Sequence, residues 1–184
     1  IGALNDDFLI EQLNHDSEYV RAWAVRPLCE DNDPPPAALE QFQSAARGDS
    51  ALVRMHLASC LQRLPYEQRW SIAAALLTRA EDADDDNIPL LVWYGIEPLV
   101  NVDRAKFVSL AGKSSLPLVA RHIGRRVAEL SKDEDSLAAV VKLLGTTKGE
   151  TQSDLLTGII EGLAGRRTVA MPESWPAAYV SLKE

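Results

Sequence analysis

A six-residue phrase recurs in this chain. Asp16-Ser17-Glu18-Tyr19-Val20-Arg21 is echoed 33 residues later by Asp49-Ser50-Ala51-Leu52-Val53-Arg54. In both copies apolar residues stand four and eight places after the valine: Ala24 and Leu28, then Leu57 and Leu61. That spacing is the apolar stripe of a helix. The polar residue ahead of it suits the free amides of a first helical turn. A helical unit repeated at this period cannot bury its apolar face alone. It does so against its neighbours, which constrains the fold to a stacked array of helix pairs.

The phrase and its spacing resemble the second helix of a HEAT repeat. Almost every other segment also reads as helix, and nothing alternates with period two. The expected fold class is all-α: an α-solenoid of about five HEAT-like helix pairs in a right-handed superhelix. The first pair is expected near Leu4–Asn14 and Asp16–Glu30, closed by Pro34-Pro35-Pro36, because proline cannot continue a helix. The second covers Ala37–Arg47 and Asp49–Leu64, stopped by Pro65. The third covers Tyr66–Ala80 and Ile88–Val100, and the fourth Asp103–Ala111 and Ser115–Leu130. The fifth covers Asp133–Leu144 and Thr151–Ala164. The solenoid is assigned to residues 1–165 and a capping tail to 166–184, with Trp175, Tyr179 and Val180 hiding the last apolar face.

Local chemistry agrees with these breaks. Asp16 and Asp49 are expected N-caps, with Ser115, Asp133 and Ser153 in similar roles. Gly112, Gly145 and Gly165 fall where helices should end and a left-handed residue is often needed. Pro27 and Pro98 come late in their helices, where a bend or an early end is expected.

Five features bear on function. Arg21 and Arg54 occupy the same place in two units, and recurrence at the repeat period favours a structural ladder over an anion site. The acidic run Asp82-Ala83-Asp84-Asp85-Asp86-Asn87 begins like a calcium loop. It lacks glycine at the sixth position and glutamate at the twelfth, where Asn87 and Trp93 stand, so a solvated capping loop is preferred. The segment Ile88–Leu99 is apolar nearly all round, as in a buried helix. Gly95 inside it marks a close approach by a helix or a ligand, and Glu97 needs a partner there. Arg121, His122, Arg125 and Arg126 form a basic stripe, suited either to an acidic partner or to balancing the acidic surface. Cys29 and Cys60 form no CxxC and read first as two buried thiols, second as a disulfide between neighbouring units.

The net charge of −8 and pI of about 4.9 disfavour a nucleic-acid binder. No apolar run approaches the ~18 residues of a transmembrane helix, and no signal peptide is evident. The chain opens on Ile1 rather than methionine, as expected of an excised or processed piece. The three histidines do not stand at metal-ligand spacing, and no GxSxG, HExxH or phosphate-loop pattern occurs.

The run Asp86–Leu99, above all Trp93-Tyr94-Gly95-Ile96-Glu97-Pro98, resembles a signature in the HEAT region of a planctomycete and verrucomicrobial family. These are membrane-bound dehydrogenase-like proteins that join a β-propeller, a HEAT region and a c-type haem domain. The resemblance implies a spacer or docking role in an extracytoplasmic setting. This chain has neither the propeller nor a CxxCH, so it inherits neither haem nor dehydrogenase activity. The expected function is a non-catalytic HEAT-repeat scaffold without cofactor or metal. It is expected to be a monomer that binds protein, not nucleic acid, and does not insert in a membrane. Trp93, Glu97, Arg121 and Arg125 are the candidate partner-binding residues. The alternative is a HEAT-like DNA glycosylase with an aromatic and acidic site in a basic cleft, which the charge disfavours.

Overall fold

Helices form where the apolar stripes run and stop where proline, glycine or acidic turns interrupt them. The computed structural model describes residues 5–131 and 134–183. Among the described residues it contains eleven α-helices and no strand. The chain divides into two compact units, Ile1–Ile96 and Glu97–Glu184.

The first unit holds α1 (Asp6–Gln12), α2 (Glu18–Leu28), α3 (Pro36–Gly48), α4 (Ala51–Cys60), α5 (Tyr66–Leu76) and α6 (Ile88–Ile96). Each odd-numbered helix packs on the even-numbered helix that follows it. α2, α4 and α6 lie side by side in one layer, and α3 packs on α5 in the other. The apolar residues of the repeated phrase point into this core: Ala24, Leu28, Leu57 and Leu61 are all buried. Each buried leucine contributes about 1.5–3 kcal/mol through apolar area removed from water. Gly95 answers to packing. A Cβ there would overlap the Cβ of Leu61, so the glycine lets the turn after α4 press directly on α6. The close approach read from the sequence is therefore that of a neighbouring element.

The second unit opens with a 3-10 turn, Glu97–Asn101, whose Pro98 follows the end of α6 as expected. Then come α7 (Arg104–Ala111), α8 (Pro117–Leu130), α9 (Glu134–Thr146), α10 (Gly149–Leu163) and α11 (Trp175–Ser181). α7 and α11 both pack on α9, while α8 and α10 form a very close pair. Gly158 and Gly162 make that pair possible. A Cβ on either would overlap a backbone carbonyl of α8, that of Arg121 or Arg125. From the other side, a Cβ at Gly124 would sit 2.8 Å from the Leu155 carbonyl.

Gly158→Ala is expected to destabilise the protein. Alanine adds roughly 1 kcal/mol of helix propensity, but overpacking costs about 1–3 kcal/mol. The blocking atom is backbone and cannot rotate away, so the upper end applies and a net loss of ~2 kcal/mol follows. Gly48→Ala, at the end of α3 with open space around it, is the control and should be neutral or stabilising. Urea denaturation of both variants is the measurement, and equal midpoints would remove the close α8–α10 contact.

Several local expectations are corrected. The N-caps of the phrase are Ser17 and Ser50, not the aspartates before them. Ser50 Oγ accepts from the Val53 amide at 3.4 Å. Ser115 does not cap α8, whose N-cap is Leu116, and Ser153 lies inside α10. Asp133 lies outside the described residues. Of the three helix-ending glycines only Gly165 is left-handed (φ 80°). Gly112 has φ −67°, and Gly145 lies within α9, where it admits the backbone of Ala178. α11 therefore docks through Ala178. Tyr179 and Val180 face solvent, with the Tyr179 ring 6.1 Å from that of Trp175.

Candidate functional site

The two phrase arginines build a ladder. Arg21 donates from Nε to Asp49 Oδ2 at 2.9 Å and from Nη2 to Asp49 Oδ1 at 2.6 Å. Its Nη1 donates to the carbonyls of His15 and Asp16. Arg54 repeats the arrangement one unit later. Nε meets Asp82 Oδ2 at 2.6 Å, Nη2 meets Asp82 Oδ1 at 2.5 Å, and Nη1 donates to the Asp49 carbonyl. Each guanidinium thus takes a bidentate carboxylate 28 residues ahead and a carbonyl five residues behind. Burial would raise the Asp49 carboxyl, but the bonds from Arg21 and the Ser50 amide outweigh it and hold the group below the usual carboxylate range. Arg54 and Asp82 are only 4% and 2% exposed.

The acidic run is therefore not simply a solvated loop. Asp82 is the buried far end of the ladder, and Asp85 Oδ1 accepts from the amides of Asn87 and Ile88 at 2.8 Å each. Among the described residues no group of three His, Cys, Asp or Glu side chains is placed to hold a metal ion.

The four expected partner-binding residues divide between the units. Trp93 lies on α6 in the first. Glu97, Arg121 and Arg125 lie in the second. Glu97 forms an ion pair with Arg126, Oε1 to Nε 2.6 Å, in an orientation short of a hydrogen bond. Arg121 pairs with Glu161 of α10, and Arg125 with Glu129 one turn on at 2.7 Å. The basic stripe is thus neutralised by carboxylates along its length. Burial, then the charges of Arg125 and Arg121, push the His122 imidazole below its ordinary value. The arginines that the glycosylase alternative would use are thus each set against a carboxylate.

A different cluster is left with uncompensated charge. A pocket of about 430 Å³ opens between α2, α4, the 3-10 turn Leu61–Arg63 and the start of α6. Its polar groups are Arg26, His56, Ser59, Arg63 and Asn87. Its apolar wall is Met55, Leu91 and the Cys29–Cys60 disulfide. The bond corrects the first sequence reading of these cysteines as thiols. Cys29 caps the end of α2 and Cys60 is the last residue of α4, helices that lie side by side. No carboxylate lines the pocket. Among the described residues neither Arg26 nor Arg63 forms an ion pair. Burial, then the charge of Arg26, pushes the His56 imidazole below its ordinary value. Sequence reading missed this cluster because its members come from four parts of the fold with no shared spacing. The available signal was the near-period separation of the cysteines, 31 residues, which brings their neighbours together as well.

Comparison with known proteins bears on the first unit. Residues 7–89 match the family model described as HEAT repeats. The chain carries a HEAT-repeat region. It runs from α1 into the start of α6 and includes both ladder arginines. A crystal structure of an engineered protein is similar at 14% identity and a TM-score of 0.41, over 98% of each chain. No curated protein matches the chain. Among the described residues no helix is long and apolar enough to cross a membrane.

Proposed function

We propose that this chain is a non-catalytic HEAT-repeat scaffold whose α2–α4–α6 layer docks a protein partner or a neighbouring domain. The observation that carries the reading is the division of labour among its arginines. Those at the repeat period, Arg21 and Arg54, are consumed in holding unit to unit. Arg26 and Arg63, off that register, are left open on one layer beside apolar side chains. Trp93 in the first unit, and Glu97, Arg121 and Arg125 in the second, are further contact candidates. Their ion pairs make the last three poorer ones. The resemblance of Trp93–Pro98 to the dehydrogenase-like family supports a spacer role inside a larger haem protein. The disulfide supports an oxidising compartment, since such bonds persist mainly outside the cytosol.

The test is a photo-crosslinking residue placed in the natural full-length protein, at exposed Ser59 on α4 or at exposed Glu40 on α3. The expected result is one defined adduct, with a partner or a neighbouring domain, from position 59 and none from position 40. Equal or absent labelling at the two sites overturns the docking layer. The spacer role has its own check in the flanking reading frame. A strand-rich region before and a CxxCH after support it, and their absence removes it.

A further inference from the structure

We infer that the pocket between α2, α4 and α6 is a receptor for the carboxylate side chains of an acidic peptide segment. This deepens the docking reading above and rests on it. The first ground is charge. The chain carries −8 overall, yet this pocket is lined by two arginines and no carboxylate. Elsewhere the structure places a carboxylate against Arg21, Arg54, Arg79, Arg121, Arg125 and Arg126. What sets Arg26 and Arg63 apart is that, among the described residues, two guanidiniums without an ion pair line one pocket that holds no carboxylate, which marks where an external anion would be accommodated.

The second ground is the kind of anion. A guanidinium offers a planar fork of donors that fits the two oxygens of a carboxylate. The hydroxyl of Ser59 and the amide of Asn87 add neutral donors beside it. The lining residues of α2, α4 and α6 lie within helices and the Asn87 amide donates to Asp85, unlike the free amides of the cradles that usually hold phosphate. The third ground is shape. About 430 Å³ exceeds what one carboxylate fills. Met55, Leu91 and the disulfide would cover the methylene stems and an apolar neighbour of the acidic residues. Long-range repulsion from the acidic surface is weak at physiological salt, where charges are screened within roughly 8 Å.

His56 reports occupancy. From α2 Arg26 faces it, from the 3-10 turn Arg63 shares its pocket, and α6 and the residue before it contribute only the uncharged Leu91 and Asn87. A bound carboxylate offsets Arg26, so the imidazole should protonate more readily in the complex. By linkage, binding should then be tighter at pH 6 than at pH 7.5.

The experiment is an NMR titration of the His56 imidazole in the whole chain. The probes are a short blocked peptide of leucine and glutamate, its glutamine counterpart, and inorganic phosphate. The expected result is binding at least about tenfold tighter for the glutamate peptide than for the glutamine one, a difference of ~1.4 kcal/mol. The His56 pKa should rise in that complex, and Arg26→Gln/Arg63→Gln should abolish the binding. Both arginines are exposed and outside the ladder, so the variant should melt at the parent temperature. If phosphate binds and the peptide does not, the pocket is a small-anion site and the peptide assignment fails. Equal binding of the two peptides, or none, also overturns it. Failure here with the position-59 adduct retained rejects the pocket chemistry alone. Loss of that adduct with peptide binding retained rejects the docking layer instead.

Discussion

Asp82→Ala should destabilise the first unit by about 3–5 kcal/mol, the loss typical of removing one partner from a buried ion pair. The reason lies with the arginine left behind. Arg54 is 4% exposed, and both of its nitrogens that face Asp82 are bonded to that carboxylate. Without it the guanidinium keeps the Asp49 carbonyl and, at 3.6 Å, the exposed Glu81. Glu81 can swing closer and recover part of the loss, which places the effect nearer 3 than 5 kcal/mol. The other rung is a built-in comparison. Arg21 and Asp49 have side chains 20% and 12% exposed, so Asp49→Ala lets Arg21 reach water and should be milder. A second comparison separates the missing bond from the stranded charge. Arg54→Met combined with Asp82→Leu removes both charges and should lose less than Asp82→Ala alone, because apolar replacement of a buried pair is often close to neutral. Urea denaturation of the four proteins decides. A loss below about 1 kcal/mol for Asp82→Ala would mean the pair behaves as a solvated surface bridge.

How much of this was legible beforehand can be judged from the same residues. The phrase located α2 and α4, and its recurrence argued that Arg21 and Arg54 form a ladder. What it did not name was Asp82. Within Glu81–Asp86 four other carboxylates compete for attention, and local pattern cannot tell a buried acid from a solvated one. Counting does better: Asp16, Asp49 and Asp82 stand at intervals of 33. The period that found the helices also finds the ladder's last carboxylate. Gly158 and Gly162 were invisible for a different reason. Their spacing is ordinary within a helix, and only the facing carbonyls of α8 explain it. The pocket was the least legible of all. Arg26, His56 and Arg63 share no motif, and their significance lies in the absence of a nearby carboxylate. Glu97 went the other way, since its need for an arginine was foreseen and Arg126 meets it.

Breaking the Cys29–Cys60 bond should lower stability by ~3–4 kcal/mol, by the chain-entropy estimate for a loop of this size. The cysteines are 31 residues apart and tie α2 to α4. Two opposing terms decide the size of the effect. In the folded protein the sulfurs are buried, Cys29 completely and Cys60 to within 5%. The helices also remain joined by Val25, Leu28, Val53 and Leu57, all in the core. Reduction therefore leaves two small apolar thiols in place and should remove little native packing. In the unfolded chain the bond closes a loop and deletes many conformations, and there most of its contribution arises. The reduced protein should accordingly keep its helical spectrum, unfold at lower urea, and show a steeper transition as its unfolded state expands. A thiol count on the unreduced, unfolded chain comes first and should find none. No free thiols with an unchanged midpoint would keep the bond and reject the chain-entropy account. Two free thiols would restore the buried-thiol reading that the sequence favoured. That result would also remove the disulfide as support for an oxidising compartment and leave that assignment to the family resemblance alone.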